Sequence, residues 1–107
     1  MEILQIYIQA RDDKRKELLR TCRLITDKTR QESGCKSSRL FQENGNENII
    51  RLEQQWEQQS TLDNYLRSDH FSALLGAMKW LGRTYEIRIN GGTQEEGRDI
   101  VKRARES

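Results

Sequence analysis

The sequence is poor in the residues that hold metals. Its 107 residues include one His, His70, and two Cys, Cys22 and Cys35. No CxxC or HxxxH spacing occurs among them, so a structural zinc site is not expected. Long apolar runs are missing too. No stretch approaches the roughly 20 residues a helix needs to cross a bilayer, so no membrane partner is expected. Charge of one sign is nowhere concentrated: 19 basic and 17 acidic residues give a net +2, interspersed up to the tail. The stripe of a nucleic-acid binder is therefore absent, and nucleic acid is not an expected partner. Met1 leads directly into a strand-like run with no signal peptide before it, so the cysteines are expected reduced, free and structural, in a cytoplasmic protein. Internal repeats and low-complexity segments are lacking as well.

What is present is a modest supply of apolar side chains. They make up 34% of the chain, and charged residues another 34%. In one domain of this length nearly every strong apolar residue must then serve a core or an interface. Ile3 to Ile8 alternate, with Leu4, Ile6 and Ile8 on one face and Ile3, Gln5 and Tyr7 on the other, which predicts a first strand. After the polar turn Arg11-Asp12-Asp13, Leu18, Cys22, Ile25 and Thr29 recur at helical spacing, and Gly34 supplies the positive φ that ends this helix. Cys35 to Gln42 reads as a second strand. The Asn44-Gly45 turn joins it to a third, from about Asn48 to Gln55, where Ile50, Leu52, Gln54 and Trp56 share one face and Ile49, Arg51, Glu53 and Gln55 the other.

The stretch from Trp56 to Gly82 organises the rest. Ser60-x-x-Asp63 predicts a capping box and a short helix carrying Leu62, Tyr65 and Leu66. Ser68 or Asp69 restarts the helix, so that Phe71, Leu74, Leu75 and Met78 share one side. Gly82 is expected to end it in a left-handed conformation, before a fourth strand over Arg83 to Ile89. Thr93-Gln94-Glu95-Glu96 predicts a capped tail helix after the Asn90-Gly91-Gly92 linker, weakly docked through Ile100, Val101 and Ala104. The expected domain is thus 1–90, with 91–107 as a helical tail. The order strand, helix, strand, strand, helix, strand is the ferredoxin-like α+β arrangement, a four-stranded antiparallel sheet with helices on one face. Its other face carries Ile3, Tyr7 and Ile49 among Gln5, Arg51 and Glu53. A second copy packed there would bury the apolar members and let the charges pair, which predicts a homodimer.

A strand ending in Trp, a tight turn and a broken helix with the only His make a wall for a small apolar pocket. The same residues resemble the antibiotic-biosynthesis-monooxygenase-like domains, which include small quinol monooxygenases. The matching positions are Trp56-Glu57, the helix Leu62-Asp63-Asn64-Tyr65-Leu66, and Arg67-Ser68-Asp69-His70-Phe71, together with Gly34-Cys35 before the second strand; the likeness covers about residues 1–90. The resemblance implies a dimeric α+β barrel and cofactor-independent oxygenation of a small hydroquinone or phenolic aromatic. The phenol would be bound, deprotonated, and its anion would pass an electron to O2. His70 would be the proton acceptor, since imidazole exchanges protons near neutral pH. Trp56 and Tyr65 would hold the ring, and Phe71, Leu74, Met78 and Leu52 would line the pocket. Two positions depart from the family: Leu52 stands where relatives carry Asn, and Tyr65 where many carry His. The places of the axial His and the strand Asn of a haem-degrading branch fall near Leu75 and Ile6, which speaks against haem. The alternative is a non-catalytic dimeric module that binds a small aromatic ligand or a protein partner, because this fold hosts unrelated roles.

Overall fold

The computed structural model describes residues 1–107. Eight elements follow one another: β1 (Glu2–Ala10), α1 (Arg15–Thr29), β2 (Cys35–Glu43), β3 (Asn46–Trp56), α2 (Gln59–Leu66), α3 (Asp69–Leu81), β4 (Gly82–Ile89) and α4 (Gln94–Glu106). The strands form one antiparallel sheet in the order β2-β3-β1-β4, the ferredoxin-like α+β arrangement. No helix is long and apolar enough to cross a membrane.

Period-two alternation determines which side of the sheet the helices cover. Leu4, Ile6 and Ile8 of β1, Ile50, Leu52, Gln54 and Trp56 of β3, and Ile87 and Ile89 of β4 are buried beneath them. Register brings these residues into rows, with Leu4 between Gln54 and Ile89, and Ile6 between Leu52 and Ile87. Leu18, Cys22 and Ile25 of α1 and Phe71, Leu74 and Met78 of α3 complete a single core, as helical spacing requires. On the opposite face of the sheet, Glu53 accepts hydrogen bonds from Gln5 Nε2 and Arg51 Nη1, both at 3.0 Å. The Arg51 guanidinium also lies 4.1 Å over the Phe41 ring.

Three local details differ from the sequence-based expectations. The box that starts α2 is two residues earlier than Ser60-Asp63: the Gln58 amide donates to Thr61 Oγ1 at 3.2 Å, and the Thr61 hydroxyl donates to the Gln58 carbonyl at 2.8 Å. Ser60 lies inside the helix and donates to the Gln58 side chain. Gly82 is not left-handed; with φ −93° and ψ 148° it is already extended and opens β4. The lack of a Cβ serves packing there instead, because a Cβ would lie 2.6 Å from the Met78 carbonyl and 3.2 Å from Ile8. The tail helix is docked more firmly than its few apolar residues suggest. A Cβ on Gly97 would sit 2.1 Å from the Ile87 carbonyl, so glycine lets α4 lie directly on β4. Arg105 then reaches across to donate to the Leu66 carbonyl at 2.7 Å, an acceptor that the end of α2 leaves open, and to Ser72 Oγ of α3 at 2.6 Å. The expected caps at Ser68 and Thr93 are present, accepting from the amides of Phe71 and Glu96, and Gly34 has φ +84°.

Candidate functional site

The end of β3 delivers Trp56 beneath α2, and the short α2 turns Tyr65 onto it. The two rings stack with centroids 4.7 Å apart, and Phe71 meets Tyr65 edge-on at 5.4 Å. Polar atoms thread this aromatic group. Trp56 Nε1 donates to Gln54 Oε1 and Gln54 Nε2 donates to the Tyr65 hydroxyl, each at 3.2 Å. Gln54 is 1% exposed, and such a buried amide is tolerable only because both its ends are partnered. Burial pushes the Tyr65 phenol above its usual pKa, with the Gln54 hydrogen bond acting the other way. Tyr65 therefore stays a neutral donor-acceptor, not a base.

The sequence-derived site residues fall into two groups. Trp56, Tyr65 and Phe71 come together as one aromatic group; Leu52, Leu74 and Met78 are buried in the same core, with Met78 beside Gly82 and Ile8, at the end of β1 opposite the one that pairs with Trp56. His70 stands apart from them, in the first turn of α3 with its ring half-exposed. Its Nδ1 lies 2.6 Å from Glu32 Oε1. A carboxylate can only accept, so the ring nitrogen facing it, Nδ1, is the donor of this hydrogen bond. Glu32 follows α1 in the turn that also supplies the carbonyl for the Cys35 amide. Sequence reasoning missed Glu32 and Gln54. A glutamine on the otherwise apolar Ile50-Leu52-Trp56 face was a signal for Gln54; Glu32, 38 positions before His70, left none.

Both cysteines are free. Cys22 is buried on the core face of α1, and burial pushes its thiol from 9.0 up to about 12. Burial likewise raises the Cys35 thiol, which donates to the Ser37 carbonyl. At neutral pH neither is a nucleophile. The sign of the linkage follows. Above pH 9 the unfolded chain loses the Cys22 proton while the fold keeps it, so the contribution is whole below pH 9 and is lost as pH rises toward 12. The loss should be on the order of 4 kcal/mol at the top of that range. Urea midpoints measured across it should fall, and Cys22→Ala should flatten the slope; parallel slopes for the two proteins would contradict the assignment.

An antiparallel four-stranded sheet with a Trp-terminated third strand and a broken helix over it defines a small α+β domain of the ferredoxin-like class. The family model described as antibiotic biosynthesis monooxygenase matches residues 1–76, and the chain belongs to that family. It is similar to "Putative monooxygenase YcnE" of Bacillus subtilis (strain 168), with 27% identity over 81 residues, 76% of this chain and 85% of that protein. Among solved structures it is similar to a conserved protein from Methanosarcina mazei Go1, with TM-score 0.75, 26% identity, and 83% and 90% of the two chains covered. Rv0793 from Mycobacterium tuberculosis shares the fold at TM-score 0.76 and 20% identity, over 85% and 93% of the two chains.

Proposed function

We propose that the protein is a cofactor-independent monooxygenase that oxidises a small hydroquinone or electron-rich phenol with O2. The observation that carries this reading is the His70–Glu32 pair: the carboxylate occupies Nδ1 and leaves Nε2 as the proton acceptor, in the first turn of α3 one residue before Phe71 of the aromatic group. Family membership and the monooxygenase description of the relative support it. A hydroquinone and O2 give a hydroxyquinone and water, with one oxygen atom entering the ring and the substrate supplying all four electrons. The chain then has three tasks. His70 takes the phenolic proton; the Trp56 and Tyr65 rings, stacked on each other in the free protein, part to hold the aromatic ring; Phe71, Leu74 and Leu52 keep water away from the anion.

Oxygen uptake by the purified protein with a panel of hydroquinones and hydroxynaphthalenes tests this. Uptake that His70→Ala abolishes is the expected result, and no uptake with any member removes the proposal. Binding is read separately from Trp56 emission in a Trp80→Phe background, since Trp80 is 80% exposed and Trp56 fully buried. The filled interior favours a second reading, a non-catalytic module that binds a small aromatic ligand or a protein partner. A shift of Trp56 emission without any oxygen uptake would select it.

In either case the protein acts as a homodimer in this reading, supported by the half-buried Ile3, Tyr7, Ile49 and Arg51 on a sheet face that no helix covers. Light scattering at micromolar concentration should return twice the 12.7 kDa chain mass. Ile49→Asp should dissociate or unfold the dimer by placing an unpaired carboxylate in the interface; a wild-type monomer mass would remove the dimer.

A further inference from the structure

We infer a small-oxyanion site on the outer edge of β2, where the end of α1 meets the strand, for a ligand bearing a carboxylate or a phosphate. A cavity of about 410 Å³ opens there, lined by Arg30, Cys35, Lys36, Ser37, Ser38 and Arg39. Three of the six are cationic, and no acidic side chain lines it.

Two features mark it as a built site and not merely a basic patch. The first is a pair of hydroxyls. Ser37 Oγ and Ser38 Oγ are buried without a hydrogen-bond partner in the protein, and Ser38 is only 2% exposed. Leaving a buried hydroxyl unpaired is unfavourable, because it gives up its bonds to water and gains none in the protein. Ser38 lies on the helix-covered face with Gln54 and Ser37 on the other face with Gln55, so the two hydroxyls flank the strand edge among three cations, donors suited to an anion's oxygens.

The second feature is the way Arg30 is held. It follows α1, and its Nε donates to the Ser38 carbonyl at 2.9 Å while Nη1 meets Asp27 at 2.6 Å. These contacts use two of its five N–H groups and fix the plane of the fork, leaving three donors, including both on Nη2. The register is irregular at Lys36, between Cys35 and Ser37, and regular from Ser37 onward, so Ser37 and Ser38 line the cavity from the two faces of β2 at the edge of the sheet. The other two cations are available. Arg39 forms no ion pair in the chain, and Lys36 holds only the half-exposed Glu57, at 3.1 Å, a surface pair of little strength. Asp27 and Glu57 are the carboxylates nearest these cations by ion pairing, and each is paired to a lining residue from outside the cavity. Cys35, its thiol tied to the Ser37 carbonyl, supplies wall and not charge.

The inference does not depend on oxygenase activity, and its test is a binding measurement on the full chain. Amide shifts would be followed while titrating sodium phosphate in one arm and sodium benzoate in another, with sodium chloride at matched ionic strength as the control. Saturable shifts confined to Arg30 and Lys36–Arg39 are expected. Response to both ligands assigns a general oxyanion site, and response to one assigns that chemistry. Arg39→Gln, a change at an exposed side chain that should not disturb folding, should weaken the responding ligand about tenfold, the loss of one charge-assisted contact. Ser38→Ala should weaken it in the same direction. Shifts no larger than those in chloride, or the same affinity in Arg39→Gln and the parent chain, would overturn the site.

Discussion

Phe71→Ala should lower the stability of the fold by about 3–5 kcal/mol, the usual range for truncating a buried aromatic. The ring is 0% exposed and sits just after the Ser68 cap, in the first turn of α3. It meets Tyr65 edge-on with an interplanar angle of 66°, an arrangement worth roughly 0.5–1.5 kcal/mol beyond burial alone. Arg105 of α4 stands 5.9 Å from its centroid, so the ring also joins the tail helix to the core. Removing it takes away the transfer term, leaves a cavity and loosens the Trp56-Tyr65 stack together. Against a total stability of about 5–15 kcal/mol for a domain of this kind, such a loss can halve the margin. Urea unfolding with an unchanged slope would report it, and Phe71→Leu should lose less. A change below about 1 kcal/mol would mean that the neighbours close over the gap, which the dense packing of this interior argues against.

His70→Ala should reduce the rate of oxygen uptake by roughly 10²–10⁴-fold while leaving ligand binding nearly intact, as removal of a general base does. Stability should hardly move, since the ring is half-exposed and its pair with Glu32 lies at the surface, where such pairs contribute about 0–1 kcal/mol. Glu32→Gln separates orientation from chemistry. The amide can still meet Nδ1 but no longer stabilises an imidazolium, so its rate should fall between the parent and His70→Ala, with binding retained. A rate for His70→Ala within tenfold of the parent would take the base role away from this residue. Unchanged kinetics in Glu32→Gln would leave His70 in place and remove the carboxylate from the mechanism.

The two chemical groups were legible in the sequence to different degrees. Trp56, Tyr65 and Phe71 each lay on an apolar face set by the period of a strand or helix, and the structure gathers them into one aromatic group. Gln54 shared the strand face of Ile50, Leu52 and Trp56, so its burial could be read, but not that its two ends would join Trp56 to Tyr65. The Glu32–His70 contact spans 38 positions and joins the turn after α1 to the start of α3. Neither residue has a neighbour in sequence that announces the other.

Local periodicity and turn chemistry by themselves determined most of the architecture. Alternation in Ile3–Ile8 and Ile49–Trp56, the 3.6-residue spacing from Leu18 to Thr29, the Asn44-Gly45 turn and the caps at Ser68 and Thr93 are short-range features whose energetics act within a few residues, and they specify the same elements wherever they occur. Tertiary structure alone decided the rest. Gly82 is extended instead of left-handed because β4 begins there against Ile8 and the Met78 carbonyl. The tail helix is firmly docked because Gly97 admits the Ile87 carbonyl and Arg105 finds Leu66 and Ser72. The orientation of His70, the chain of hydrogen bonds through Gln54 and the two orphan hydroxyls on β2 likewise depend on which groups the fold brings within about 3 Å of one another, the range over which a hydrogen bond acts. Spacing along the chain carries no record of that distance.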